Sequence, residues 1–272
     1  MKPISFSRSR WCHQLIPNRN PGALSRGQYD LAHNSPRLTR AYSHDAPRYP
    51  DAPSSEHHDT ASYAAYAART GLDVTSKTYV GTAYEYTVAA ALSALGFRIK
   101  RVGGRSDCGI DLLGVWAVPS AATAPRVLLQ CKASAQNTKI GPHNVRELEG
   151  AFVGAPPGWR GSGVLGLLVA QKPATKGIRD SLGRSRWPMG YVSCSKDGML
   201  EQMLWNRRAE EEGLEGMGVG VQFAGDGGPE GQRLVLTWKG KPYAFDQSAP
   251  GDSTESSRIL EDIPKSTATS QA

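Results

Sequence analysis

Four residues in this 272-residue chain are of types that can bind a divalent cation and hydrolyse a phosphodiester: Glu85, Asp111, Gln130 and Lys132. Two carboxylates and an amide oxygen are hard ligands suited to Mg²⁺ or Mn²⁺. A bound cation polarises the phosphate and lowers the pKa of a water molecule, and a lysine stabilises charge on the approaching nucleophile. Each residue alone is weak evidence, but the ordered set predicts hydrolytic chemistry if the fold brings the four together.

Each of these residues also has a purely structural interpretation. Glu85 lies early in a predicted helix, where the helix dipole favours a carboxylate, although its spacing to Val88 and Leu92 puts it on the apolar stripe. Asp111 opens a buried strand and is either an edge cap or a metal ligand. Lys132 either has a partner in a buried site or extends to solvent from a strand end.

The hydrophobic pattern predicts the elements that must position these side chains. Gln130 and Lys132 lie two apart on a predicted strand and therefore point to one face, whereas Cys131 points to the other and belongs to the core. The backbone carbonyl of Cys131 is a further candidate oxygen ligand. Predicted helices span residues 82–95, 141–153, 174–182 and 199–212, and predicted strands span 97–102, 109–118, 126–133, 164–170, 190–193, 219–223 and 234–238. This order indicates an α/β fold, a mixed β-sheet with helices on both faces.

The segments Gly109-Ile-Asp111 and Gln130-Cys-Lys132, preceded by Glu85 on a helix, resemble the PD-(D/E)XK nuclease superfamily, in particular its Mrr-like type IV restriction endonuclease branch. With its basic leader, the chain also resembles the fungal mitochondrial "required for respiratory growth" family. The resemblance covers about residues 78–195 well. It implies a restriction-endonuclease-like three-layer αβα core and a magnesium-dependent endodeoxyribonuclease, with a homodimer as an assembly that the sequence leaves open.

The same resemblance assigns roles to the residues. It implies that Asp111 and Gln130 ligate Mg²⁺ (or Mn²⁺), that Glu85 assists directly or through water, and that Lys132 acts near the nucleophile. Two positions depart from the superfamily pattern: Ile110 stands in place of the proline, and Gln130 in place of an acid. The amide removes one negative charge, which weakens metal affinity and favours a single ion.

The chain carries a formal charge of +7, and most of this basicity lies near its beginning. Residues 1–48 contain eight Lys or Arg and two Asp, so the remainder is nearly neutral. A local basic cluster in the predicted domain is a candidate nucleic-acid contact, with surface solvation as the alternative. Its members are Arg98, Lys100, Arg101 and Arg105.

The two ends of the chain differ from its middle. Residues 1–42 are rich in Arg and Ser and lack the apolar stretch of a secretory signal, which predicts a mitochondrial transit peptide cut after Tyr42; a basic tail without targeting function is the alternative. Residues 43–77 are interpreted as a disordered linker, 78–245 as the nuclease domain and 246–272 as a disordered tail. The pair His57-His58 is either a metal ligand pair or part of the solvated linker.

The basic leader favours a protein of the mitochondrial matrix, and the nuclease-like residues favour nucleic acid, above all DNA, as its partner. No apolar run approaches the about 18–20 residues that cross a bilayer, and no cysteine pair or Cys/His cluster has zinc-ligand spacing. His143, at a predicted helix start, is interpreted as structural. Five tryptophans are core, rim or base-stacking candidates: Trp116, Trp159, Trp187, Trp205 and Trp238. The leading hypothesis is a nuclease, and the alternative is a non-catalytic nucleic-acid-binding or scaffold protein with the nuclease fold.

Overall fold

The computed structural model describes residues 48–51, 53–104, 108–133, 140–223, 232–243 and 245. The expected transit peptide, residues 1–42, lies outside these ranges, as do Arg105 and the expected tail, residues 246–272. The elements follow in chain order: α1 (Thr60–Thr70), α2 (Lys77–Ser93), β1 (Phe97–Arg101), β2 (Leu112–Trp116), β3 (Arg126–Lys132), α3 (Pro142–Gly154), β4 (Val164–Ala170), α4 (Lys176–Arg184), β5 (Met189–Cys194), β6 (Leu200–Trp205), α5 (Arg207–Ala209), the π-helix Glu210–Leu214, β7 (Met217–Phe223), β8 (Gln232–Trp238) and β9 (Lys241–Tyr243).

Strands β1 to β6 form one mixed sheet in sequential order. The β1–β2, β2–β3 and β5–β6 pairs are antiparallel, and the β3–β4 and β4–β5 pairs are parallel. The parallel steps are made by α3 and α4, because parallel neighbours require a crossover connection. All seven residues of β4 are buried, as expected for the centre of a sheet covered on both faces.

The sheet separates two apolar cores. On one face, Val88 and Leu92 of α2 pack with Leu129 of β3. On the other face, Leu148 of α3 packs with Leu128 of β3. Adjacent residues of a strand point to opposite faces, so helices cover both sides and the expected α/β architecture, a mixed sheet with helices on both faces, is confirmed.

The region after β5 differs from its prediction. Residues 199–212 were expected to form one helix, but Leu200–Trp205 is a strand that pairs antiparallel with β5. The helix is restricted to Arg207–Ala209 and the following π-helix. Pairing with the edge of a buried sheet outweighs the weak local preference for helix. The two late predicted strands, β7 and β8, are present. They pair with each other, and β8 also pairs with β9, in a separate three-stranded sheet.

Two shorter segments also depart from expectation. Residues 60–70, within the stretch interpreted as a linker, form helix α1, which begins at a capping box of Asp59 with Ser62 and ends at Gly71. The strand predicted from residue 109 begins only at Leu112. The backbone at Cys108 and Gly109 has positive φ angles of 54° and 77°, which a strand cannot accommodate.

Candidate active site

Asp111 lies between β1 and β3, one residue before β2 begins. Its backbone N–H donates to the carbonyl of Leu129 at 2.9 Å, and its own carbonyl accepts from Val102 and Gly103. Its Oδ2 accepts the backbone N–H of Cys131 at 2.6 Å. These two bonds to β3, at the residues on either side of Gln130, set Asp111 beside that residue. The carboxylate is therefore fixed by backbone contacts at the end of the strands.

The side chain of Gln130 is buried, with 5% of the residue exposed. Within the described part of the chain, its Oε1 is buried without a hydrogen-bond partner. Its amide lies close to Gly109, where an added Cβ would stand 2.8 Å from Nε2. An unpartnered buried acceptor costs about 1–3 kcal/mol, so such an atom in a native protein calls for an explanation, such as a ligand.

Lys132 lies at the end of β3 and pairs with Glu147 of α3. Its Nζ is 2.9 Å from Glu147 Oε2, and the two side chains are 30% and 46% exposed. Asn144 also donates to Glu147 Oε2, at 3.1 Å, and its own Oδ1 accepts the backbone N–H of Gly141 at the start of α3. The hydrogen bond from Lys132 holds the pKa of Glu147 below its usual value, with a smaller effect from Asn144. The ammonium group is thus tied to α3, near the beginning of that helix.

Glu85 reaches the same end of the sheet from α2, where it meets Arg101, the last residue of β1. Arg101 Nε donates to Glu85 Oε2 at 2.5 Å, and the two side chains are only 13% and 12% exposed. A second nitrogen of the guanidinium, Nη2, donates to Thr82 Oγ1 at 3.3 Å. The carboxylate of Glu85 is therefore part of a largely buried ion pair between α2 and β1.

The four predicted residues share one end of the sheet, although they approach it from different sides. Gln130 and Lys132 have the strand parity of Leu128, on the face covered by α3. Glu85 comes from α2 on the opposite face. Burial, followed by the negative charges of Asp111 and Glu85, raises the pKa of the Cys131 thiol on that second face. Both carboxylates therefore lie within electrostatic reach of one sulfur atom.

The fit of this arrangement to a divalent cation is partial. Among the described residues, no group of three or more His, Cys, Asp or Glu side chains is arranged to hold a metal ion. The two oxygen-bearing side chains that meet at the β2–β3 end are Asp111 and Gln130, and the amide oxygen of the latter is the buried acceptor without a partner. These two residues fit Mg²⁺ or Mn²⁺ as oxygen donors, whereas Glu85 is engaged by Arg101.

The basic cluster is divided by the sheet. Arg101 faces α2 and Glu85, whereas Arg98 and Lys100 are exposed with the opposite strand parity. The Lys100 Nζ lies 5.0 Å from the centre of the Tyr49 ring. Arg98 and Lys100 of the basic cluster thus remain available to a nucleic-acid phosphate backbone on one face of the sheet. Arg105 lies outside the described residues.

The tryptophans and histidines take several roles. Trp116 and Trp159 are fully buried, and Trp205 and Trp238 pack against the core. Trp187 is 37% exposed and stacks on Phe152 with 4.8 Å between ring centres. His143 is exposed near the start of α3.

The structure identifies contacts that the sequence interpretation did not include. His57 is buried, and its Nδ1 is 2.8 Å from the Tyr86 hydroxyl, so it is not part of a solvated linker. Arg101 and Glu147 neutralise the candidate residues Glu85 and Lys132. Glu147 could have been considered from the sequence, because it follows Asn144 by three residues and therefore lies on the same face of α3. No pattern linked Arg101 to Glu85.

In the part of the chain that the structure describes, we find no helix both long and apolar enough to cross a membrane. A solved structure with some similarity, the MspJI restriction endonuclease in complex with a 27-mer oligonucleotide, is 14% identical and covers 54% of this chain and 33% of its own, with a TM-score of 0.31. That score is too low for any inference about fold or function.

Two sequence comparisons are more informative. An uncharacterised mitochondrial protein of Schizosaccharomyces pombe is 32% identical over 133 residues, which cover 47% of this chain and 51% of that protein. The chain thus spans about half the length of this relative. The model of a family described as "Required for respiratory growth protein 7" matches residues 76–126 and 120–221, more than half of the chain. The chain therefore belongs to the Required for respiratory growth protein 7 family.

Proposed function

We propose that this protein is a metal-dependent nuclease that hydrolyses phosphodiester bonds of DNA, or of another mitochondrial nucleic acid, with a PD-(D/E)XK type of site. The observation that carries the proposal is the buried, unpartnered Oε1 of Gln130, a residue whose two neighbours on β3 both bond to Asp111. A core glutamine could bond its amide oxygen to a backbone N–H. An acceptor left without a partner at the end of two strands instead suits a hard cation.

In this proposal Asp111 and Gln130 supply the oxygen ligands, with the backbone carbonyl of Cys131 as a further candidate. Mg²⁺ or Mn²⁺, when bound, would polarise the scissile phosphate and activate a water molecule. The hydrogen bond from the Cys131 backbone N–H holds the Asp111 carboxylate in one orientation without cost at the moment of reaction.

Lys132 would stabilise negative charge on the nucleophile or on the phosphate. Its ion pair with Glu147 is half exposed and therefore weak. A phosphate oxygen can replace Glu147 as a partner at little energetic cost. Glu147 thereby keeps the ammonium group near the strand end until a substrate arrives, and Arg98 and Lys100 offer exposed charge for the nucleic-acid backbone.

We further propose that the protein acts in the mitochondrial matrix and that residues 1–42 are a transit peptide. The Arg-rich, acid-poor composition of this segment supports import, and a relative is named as mitochondrial. Sequencing the N-terminus of the protein from purified mitochondria should find Ser43 first. An intact Met1 in that preparation would exclude the cleavage.

A second candidate, a non-catalytic nucleic-acid-binding or scaffold protein, is favoured by one observation. Glu85 and Lys132 each have an oppositely charged partner within the protein. A fold that has lost its metal would need such compensation, because an isolated buried charge is costly.

The test is cleavage of duplex, single-stranded, branched and methylated DNA and of RNA by the purified protein with Mg²⁺ or Mn²⁺. We expect cutting that falls by about 100-fold or more in Asp111→Asn and in Lys132→Ala, as for the loss of groups that act on the transition state. The matched control is Lys241→Ala, an exposed lysine on β9, which should cut normally. If the folded protein binds these substrates but cuts none of them, the second candidate replaces the nuclease.

A further inference from the structure

We propose that Arg101 is the built-in counter-ion of Glu85, so that Glu85 does not ligate a divalent cation and the site holds one ion on Asp111 and Gln130. The identity of that ion rests on the proposed function, whereas the pairing of Arg101 with Glu85 does not. The proposal departs from the role that the sequence pattern suggested for Glu85.

The first support is the enclosure of the guanidinium group. Nε of Arg101 donates to Glu85 Oε2 and Nη2 to Thr82 Oγ1, so one helix contacts two of its nitrogens. The centre of the guanidinium lies 5.8 Å from the ring centre of Tyr86, also on α2. The Tyr86 hydroxyl is itself fixed by a hydrogen bond to the carbonyl of His57. These contacts hold the guanidinium in place, so Arg101 would lose its carboxylate partner if Glu85 turned toward a cation.

The second support is the burial of the pair. Arg101 is 13% and Glu85 12% exposed, in contrast to the half-exposed pair of Lys132 with Glu147. Removing one partner of a buried pair leaves an uncompensated charge, which is strongly destabilising. A cation that took Glu85 as a ligand would leave the Arg101 guanidinium without its counter-ion. The half-exposed pair can exchange partners readily, and the buried pair cannot.

The third support is the distribution of negative charge at the strand ends. Arg101, which bonds to Glu85, pairs in the sheet with Leu112, the residue after Asp111, so the two carboxylates lie at the same end of the sheet. Without Arg101, two carboxylates and an amide would attract two positive charges or one strongly held divalent ion. Arg101 supplies one fixed positive charge at the strand ends, so a single metal ion is enough to balance the remaining negative charge.

The experiment is a calorimetric titration of the full-length protein with Mn²⁺ alone. We expect one ion to bind to the wild-type protein and the affinity to fall by about tenfold or more in Asp111→Asn, the size typical of a disturbed ligand set. The Glu85→Gln, Arg101→Gln double variant, which removes both charges of the pair, should keep the dissociation constant within about threefold of the wild-type value. The Arg101→Gln variant should bind Mn²⁺ more tightly than the wild-type protein or bind a second Mn²⁺ ion. This additional binding should be lost in the Arg101→Gln, Glu85→Gln double variant.

The proposal is overturned if the Glu85→Gln, Arg101→Gln double variant weakens Mn²⁺ binding as strongly as Asp111→Asn does. It is also overturned if folded Arg101→Gln shows no binding that depends on Glu85. Should Arg101→Gln fail to fold, the double variant alone decides between the two outcomes. If the wild-type protein binds no Mn²⁺ but Arg101→Gln binds an ion through Glu85, the nuclease proposal fails while the role of Arg101 stands.

Discussion

The carboxylate of Asp111 bonds to the backbone of the neighbouring strand, with Oδ2 2.6 Å from the N–H nitrogen of Cys131. Strand β2 begins at the next residue, so a side-chain oxygen takes the place that a backbone carbonyl would have in the ladder. Cys131 lies between Gln130 and Lys132, so the bond also fixes the backbone that presents both candidate side chains. Asp111 thus combines a structural role with its proposed role as a ligand.

This double role predicts a loss of stability that is separate from any loss of activity. Asp111→Ala removes a hydrogen bond to a charged acceptor and should lower the free energy of unfolding by about 1.5–3 kcal/mol. Asp111→Asn keeps an acceptor and should cost less. Urea denaturation measures both, and Asp197→Ala, at an exposed turn position, should change stability by no more than about 0.5 kcal/mol. A fully stable Asp111→Ala variant would show that the bond contributes nothing.

The close packing of β1 on β2 yields a second prediction, at Gly114. This residue pairs with Ile99, and an added Cβ would overlap the carbonyl oxygen of Arg98 and the backbone of Ile99. Backbone cannot move aside without breaking the pairing, so Gly114→Ala should destabilise by about 3 kcal/mol, the upper range for overpacking. Thermal or urea unfolding would measure this change.

Gly81 provides the control for Gly114. It lies inside α2, and an added Cβ there would meet nothing within 4 Å. Gly81→Ala should therefore stabilise the protein by about 0.5–1 kcal/mol through better helix propensity. Equal stability of the two alanine variants would contradict the described packing at β1.

The parts of the fold that the sequence predicted are those in which local pattern and tertiary packing agree. The seven apolar residues 164–170 form the central strand, because a strand covered by helices on both faces needs no alternation of polar residues. Pro142 occupies the first turn of α3, where its missing N–H is not needed. Strand β6 was missed because its sequence has no strict alternation and is followed by helix-favouring residues.

The candidate site was predictable in its residues but not in its partners. Asp111 and Gln130 come together because β2 and β3 are adjacent antiparallel strands, which their spacing in sequence indicated. The partner of each charged group depends instead on helix placement. The placement of α2 and α3 on the sheet determines whether Glu85 contacts a metal or Arg101, and whether Lys132 contacts Glu147. No local sequence pattern encodes this placement.

His57 gives a third prediction, which concerns pH. Its ring lies among tyrosines, 4.6 Å from the ring centre of Tyr63 and 5.1 Å from that of Tyr66. The Tyr86 hydroxyl donates to the His57 carbonyl, so the hydroxyl oxygen is the acceptor for Nδ1–H. Burial, assisted by the positive charge of Arg101, lowers the pKa of His57 from its usual 6.5.

Because the folded state holds His57 neutral, the unfolded chain binds more protons below the usual pKa. The contribution of His57 to stability is therefore complete above pH 6.5 and is lost as the pH falls toward the lower, folded pKa. The slope for one proton is at most about 1.4 kcal/mol per pH unit. Urea unfolding across this range should show a smaller decline in His57→Gln than in the wild-type protein. Identical profiles for the two proteins would mean that His57 titrates alike in the folded and unfolded chains.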